Sequence, residues 1–226
     1  RQLSSADDFA VLAPRDRVAI ENRILTERLD ALLPELMAET KLDMWLVINR
    51  EYAEDPVYFT LVPQPTFAAR RTTMLVFSRK ADGSVERLSV NRYPFGAPYT
   101  AAWSGGDLTE QWQALAKVIT ERDPQRIGIN VSADWPVADG LTKGLHQLLL
   151  DVLPKHYASR LVSAESLVVR WMEQRTESEL DIYPHIVSLA RAVIAEAFSA
   201  KVITPGVTTT EDVAWYIRQR YEALGL

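Results

Sequence analysis

The sequence predicts an α/β protein built on a mixed sheet, and three observations predict it. Met44–Ile48 is a short continuous apolar run containing Trp, Val and Ile, the pattern of a strand buried on both faces. Thr72–Ser78 and Val85–Val90 read as strands on either side of the turn signal Ala81-Asp82-Gly83, so the pair is an antiparallel hairpin. A helical pattern opening at Asp107, a further strand at Ile127–Val131 and a second helical pattern from Pro136 follow. This is the order of an α/β layer.

Taken in order, residues 1–14 are irregular and predict an arm. Val18, Leu25, Leu29, Leu32 and Leu36 fall near helical spacing, and Pro34 predicts a kink or a split at Leu33. After the first strand, Asn49–Arg71 is a long Pro-rich connection carrying Tyr52, Tyr58, Phe59 and Phe67. These rings are expected to cover the sheet edge, although long loops in compact domains are often functional. A second loop, Tyr93–Gly106, carries Trp103. Asp107 and Glu110 open a helix that Asp123-Pro124 ends. Pro136 begins another helix with Val137, Leu141, Leu145 and Leu148 on one face. Pro154 ends it, and Arg160–Val162 adds a short strand. The domain boundary is expected near Lys155–Ser163, giving residues 1–160 and 161–226 as two domains.

At 226 residues, 47% hydrophobic and 24% charged, the chain has the composition of a globular protein with a real core. A net charge of −5 without a basic block argues against a nucleic-acid partner. The absence of cysteine excludes a disulfide scaffold and a thiolate metal site. No apolar run is long enough to cross a membrane, so no membrane partner is expected. The chain begins at Arg1 rather than Met, which fits a cytoplasmic protein with an engineered start or a periplasmic or secreted one after signal removal.

The last quarter is the most patterned. Ser163 is placed as the N-cap of a helix bearing Ala164, Leu167, Val168 and Trp171. Thr176 and Glu179 have capping-box spacing ahead of a helix with Leu189, Ala190, Val193, Ile194, Ala197 and Phe198 on one side. Pro184 predicts a kink, or a restart with Pro184 as the first helical residue. Thr204-Pro205-Gly206 breaks the pattern, Thr208 and Glu211 repeat the capping-box spacing, and Gly225 is placed to end the last helix.

This ordered set, Arg170, Glu173–Leu180, Pro205-Gly206 and Thr210-Glu211, resembles the start of the pita-bread metallopeptidase domain of the creatinase, prolidase and aminopeptidase P family. The stretch Asn49–Pro56 resembles a loop of that family's N-terminal domain. The resemblance implies a mixed-sheet, ribonuclease-H-like N-terminal domain followed by the first helices of an incomplete pita-bread domain. It implies that the complete protein is a metal-dependent Xaa-Pro aminopeptidase or dipeptidase, a homodimer acting on a peptide substrate with two divalent metals (Mn, Zn or Co). Bridged metals polarise the scissile carbonyl and supply hydroxide at neutral pH. In the family the metal ligands, two Asp, one His and two Glu, lie downstream of the helix ending here at Leu224. No metal, cofactor or catalytic residue is therefore expected within this portion, which by itself is expected to be inactive. A non-catalytic peptide- or protein-binding member, or a creatinase-like amidinohydrolase, is the alternative.

The residues themselves offer little competing chemistry. His146, His156 and His185 have no metal-ligand spacing. Asp7-Asp8 and Glu54-Asp55 are neighbours whose side chains diverge on an extended chain. Gly105-Gly106-Asp107 lacks the Lys and the spacing of a phosphate loop, and reads as a turn and cap. One role carries over from the resemblance. In creatinase-like members an arginine just before the second strand reaches the partner subunit's active site and binds a substrate carboxylate. Arg70 and Arg71 stand there, with a solvated charge pair at a strand start as the alternative. Trp103 is the matching candidate for lining a pocket.

Overall fold

The computed structural model describes residues 5–226. They divide into two compact units, Glu21–Gln174 and the residues up to Ile20 together with Arg175–Leu226.

The unit Glu21–Gln174 carries the sheet. Helix α1 (Pro14–Glu27) passes through a π-helical turn, Arg28–Leu32, into α2 (Leu33–Glu39). Pro34 stands in the first turn of α2, but the split expected at Leu33 does not occur. Leu32 and Leu33 are both right-handed helical, the Leu33 amide donates to the Arg28 carbonyl, and a π-helical turn just ahead of the proline takes the place of a break. Then come β1 (Met44–Arg50), β2 (Thr72–Arg79), β3 (Val85–Asn91), β4 (Thr100–Ala101), α3 (Leu108–Arg122), β5 (Ile127–Ile129), α4 (Lys143–Val152), α5 (Lys155–Ala158), β6 (Leu161–Ser163) and α6 (Glu165–Glu173). The strands form one six-stranded sheet in the order β4-β3-β2-β1-β5-β6. The β1–β2 and β2–β3 pairs are antiparallel, and β1–β5, β5–β6 and β3–β4 are parallel. The sheet is mixed, as predicted. The two-residue β4 has no signal in the sequence.

Strand alternation divides the core. Trp45, Val47, Leu75 and Phe77 face one layer, with Leu29 and Leu33 on the first helical segments and Leu167, Val168 and Trp171 on α6. Met44, Leu46, Ile48, Met74 and Val76 face the other, against Trp112, Leu115 and Ile119 of α3 and Leu145 and Leu149 of α4. A continuous apolar run is what a strand covered on both faces requires.

Three local expectations shift. Pro136–Ala138 forms only a 3-10 turn, and the helix starts at Lys143 with Thr142 as its cap. The chain between them is held by the sheet instead, the Leu141 amide donating to the Asn130 carbonyl at 2.9 Å. Ser163 is the last residue of β6, and the α6 cap is Ala164. The Ser163 hydroxyl donates to the Val131 carbonyl and accepts from the Glu165 amide. Of the loop rings expected to cover the sheet edge, Tyr58 is buried, whereas Tyr52 and Phe67 stand 94% and 79% exposed.

The sheet-bearing unit runs to Gln174, past Lys155–Ser163, because β6 pairs with β5 and Trp171 is fully buried with Trp45 and Phe77. A chain of residues 14–174 is therefore expected to unfold cooperatively in urea. One ending at His156, stripped of Leu167, Val168 and Trp171, is expected to lose near-ultraviolet circular dichroism and bind a hydrophobic dye, since each large core side chain is worth roughly 3–5 kcal/mol. Equal cooperativity of the two chains would refute this.

The other unit holds a 3-10 turn (Ala6–Asp8), α7 (Glu177–Ala197) and α8 (Thr210–Ala223). Ala6, Leu189, Ala192 and Val193 form its core, packed by Phe9, Ile217 and Tyr221. Thr176 and Glu179 make the capping box that the spacing predicts. The expected restart at Pro184 does not occur, because α7 runs through it. Leu180 and Pro184 lie on the exposed side, so the Leu180 carbonyl deprived of its amide partner is open to solvent. The last capping box is Thr209 with Asp212 rather than Thr208 with Glu211, since the Thr208 hydroxyl is taken by the Thr204 amide and the Val202 carbonyl. Gly225 follows α8 with φ 80°, the left-handed conformation that ends a helix. No helix among the described residues is long and apolar enough to cross a membrane.

Candidate functional site

The candidate site lies where β1, β2 and β3 run out. Register sets it: Arg50 is paired with Thr72 across β1–β2, and Thr73 with Asn91 across β2–β3. Arg70 and Arg71 immediately precede β2, and Arg92 immediately follows β3. Four guanidinium groups from three distant stretches thus come to one groove of about 430 Å³, lined also by Trp103, Tyr52 and the start of α3. Gln111, buried on α3, fixes that helix to the sheet by donating from Nε2 to the Thr72 and Val90 carbonyls at 2.9 and 2.8 Å.

The three residues singled out from the sequence, Arg70, Arg71 and Trp103, all line this groove. Arg50 and Arg92 escaped sequence reading, because only strand register reveals that they join the pair. The Arg70 guanidinium lies 4.8 Å from the centre of the Tyr93 ring. Arg92 donates to the Gly106 carbonyl. The side chains of Arg50 and Arg71 form no hydrogen bond or ion pair among the described residues. Two carboxylates share the groove, and both have work elsewhere. Glu51 accepts the Arg71 amide at 3.0 Å, and Asp107 caps α3 by accepting the Glu110 amide at 2.8 Å. The lining therefore carries four positive charges against two negative ones.

The backbone is held hard here. Tyr52, Arg70 and Arg71 have φ of 70°, 44° and 68°, left-handed values that cost a non-glycine residue about 1 kcal/mol or more each. The Glu51 amide donating to the Arg71 carbonyl at 2.8 Å, with the reverse bond from the Arg71 amide to the Glu51 carboxylate, locks the two stretches together. Below them lies a buried polar cluster. Asp55 accepts from the Val57 amide and from Asn130 Nδ2 at 3.0 and 2.8 Å. Asn130 Oδ1 accepts from the Trp45 indole at 2.7 Å, and Asn49 Oδ1 accepts from the Asp55 amide at 3.0 Å. Burial pushes the Asp55 carboxyl above the usual range despite these donors, and nearby Asp139 adds to the rise. This cluster anchors the start of the loop that ends in Arg70 and Arg71.

A second cleft of about 410 Å³ opens at the same end of the sheet. Thr73 and Asn91 line it, whereas Thr72 and Arg92 line the first, so by strand alternation the two clefts lie on opposite faces of the sheet. Arg70 belongs to both. Tyr58, Phe67, Tyr93, Phe95 and three prolines make the second cleft largely apolar.

Among the described residues no three His, Cys, Asp or Glu side chains come together as a metal site would require. The donor set that two divalent metals need is thus not supplied by the described residues. What the groove can do is bind an anion. A guanidinium offers a carboxylate two parallel hydrogen bonds, and Trp103 shields one wall.

No family model and no curated protein matches the chain. Among solved structures it is similar to "Xaa-Pro dipeptidase from Bacillus anthracis", with 16% identity and a TM-score of 0.51, over 90% of this chain and 49% of that one. The chain thus spans about half the length of that structure, and the likeness is one of fold.

Proposed function

We propose that this chain is the N-terminal portion of a metal-dependent hydrolase of the Xaa-Pro aminopeptidase or dipeptidase kind, with the arginine groove binding a carboxylate of the peptide substrate. The observation that carries the reading is the meeting of Arg70, Arg71 and Trp103 with Arg50 and Arg92 in one groove. The fold likeness to half of a Xaa-Pro dipeptidase supports it. In this reading the sheet-bearing unit, which ends at Gln174, is a ribonuclease-H-like domain, and the residues that follow begin a pita-bread domain. The chain assembles as a homodimer. The two metals and the hydrolytic step belong to residues beyond Leu226, and this chain's own residues bind and orient the substrate's acid group. Arg71 and Arg50, whose side chains have no partner among the described residues, are available for bidentate contact, and the left-handed backbone at Arg70 and Arg71 fixes both at the rim.

Because the groove holds cations and no nucleophile with an adjacent base, it would serve equally a non-catalytic binding protein of this fold. Calorimetric titration with Mn²⁺ or Zn²⁺ and an assay on Gly-Pro test where the chemistry resides. The chain alone is expected to bind neither metal with micromolar affinity and to leave the peptide intact. Uptake of two equivalents, or cleavage, would overturn the placement of catalysis outside these residues. In the protein extended past Leu226, Gly-Pro hydrolysis supports the enzyme, and its absence with metal bound supports the binding protein.

A further inference from the structure

The apolar cleft has no part in carboxylate binding, yet it is built next to the groove and shares Arg70 with it. Phe67 and Tyr93 expose much of their rings on its walls. Exposed rings held by a rigid frame are the usual anchors for a side chain. Asn91, 4% exposed, lines the same cleft. Its Nδ2 donates to the Tyr93 carbonyl, which fixes the amide orientation, and its Oδ1 has no hydrogen-bond partner among the described residues. A buried acceptor without a donor is costly, and a ligand N–H would relieve it.

These features call for one kind of occupant. It carries an anion for the arginines, an N–H for Asn91 and a flat apolar group for the rings. Its groups must diverge to opposite sides, since the clefts lie on opposite faces of the strand ends. We propose that the two clefts together form a bipartite site for the carboxyl-terminal end of an extended peptide with a ring-bearing terminal residue. The free carboxylate meets Arg70 and Arg71, and the ring enters the cleft between Phe67, Tyr93 and Phe95. Charge complementarity argues for the carboxylate, because four arginines face only two acids already engaged in the fold. The terminal residue's carboxylate and ring branch from one Cα and leave it in different directions, which suits two clefts that meet at Arg70. Arg70, stacked on Tyr93 at 4.8 Å, is the hinge of the site, presenting its charge to one cleft and its plane to the other.

The inference rests on the carboxylate reading of the groove, and one experiment separates the two. Acetyl-Gly-Phe, its carboxyl-terminal amide and acetyl-Gly-Gly are titrated into the chain by calorimetry. The acid is expected to bind about tenfold more tightly than the amide and about tenfold more tightly than acetyl-Gly-Gly. Phe67→Ala is expected to bring acetyl-Gly-Phe down to acetyl-Gly-Gly while keeping the preference for acid over amide. Arg71→Ala is expected to reduce the preference for acid while keeping that for the ring. Both side chains are exposed, so neither variant threatens the fold. If acetyl-Gly-Phe and acetyl-Gly-Gly bind alike and both prefer acid to amide, the bipartite site is wrong and the carboxylate groove stands. If acid and amide bind alike, or nothing binds, both fail.

Discussion

Gly140→Ala is expected to destabilise the sheet-bearing unit by about 3 kcal/mol, read as a lower urea midpoint at unchanged slope. A Cβ on Gly140 would lie 2.1 Å from Asp55 Oδ2 and 2.2 Å from its Cγ. Asp55 is 1% exposed and held by Val57, Asn130 and Asn49, so it cannot swing aside without breaking the network. Asp55→Ala is expected to cost a similar amount by leaving the Asn130 Nδ2 and Val57 N–H donors without their acceptor. In the Asp55→Ala background the Gly140→Ala change should then cost far less than alone, because the clash is gone. Additive losses would show that the clash is not the mechanism. The pH dependence has a definite sign. Asp55 holds its proton more tightly in the folded protein than in the unfolded chain. Its contribution is therefore greatest below the usual carboxylate range and declines as pH rises through the raised value, and Asp55→Ala removes that decline.

The second large effect is expected at Glu196, the hub of the other unit. Its side chain is 12% exposed and accepts from the Ala6 amide at 2.8 Å, the Ser5 hydroxyl at 3.1 Å, the Tyr216 hydroxyl at 3.3 Å and Arg220 Nε at 2.8 Å. Arg220 also reaches Asp7 at 2.9 Å. Glu196→Ala strands the Ala6 amide and leaves Arg220 only its pair with Asp7, and about 2 kcal/mol of local stability should be lost, less than for a fully buried pair because solvent reaches the rim. Hydrogen exchange of the α7 and α8 amides measures it. Arg220, with Ala6 and Ser5 adding, holds the Glu196 carboxyl down at about 2. Its folded value lies below the unfolded one, so the stabilisation is fully present above about 4.5 and is lost as pH falls toward about 2. Protection in α7 and α8 should fall over that window in the native protein and stay flat in Glu196→Ala. An acid response that survives the substitution would place the titrating group elsewhere.

The two sites respond to acid in opposite directions, and sequence position explains neither. Asp55 follows another acid and lies in a loop, which reads as surface, yet it is buried because Asn130, just after β5 and itself held by the Trp45 indole of β1, donates to it. Glu196 stands on a helix near Ala197 and Phe198 with nothing local to mark it. Its ligands come from Ser5 and Arg220, more than twenty residues away in the chain. Buried polar networks depend on distant partners, and no local pattern encodes them.

The sequence by itself determined whatever rests on neighbours within a turn or a strand. The apolar run at Met44–Ile48, the hairpin around Gly83, the Asp107 cap with Glu110 and the Thr176 box with Glu179 are short-range choices of backbone and side chain, and each stands where its residues place it. The tertiary structure alone decided where strand ends meet. Pairing Arg50 with Thr72 brings Arg50 to the Arg70–Arg71 turn, and the β2–β3 register brings Arg92 to the same groove and Asn91 to the opposite face. A slip of one residue in either pairing would send these side chains to the wrong faces. Register is fixed by burial of alternate residues in two cores, not by the arginines themselves. For the same reason the helix expected at Pro136 waits until Thr142. The segment between is needed to close over Asp55, where only a glycine fits at position 140.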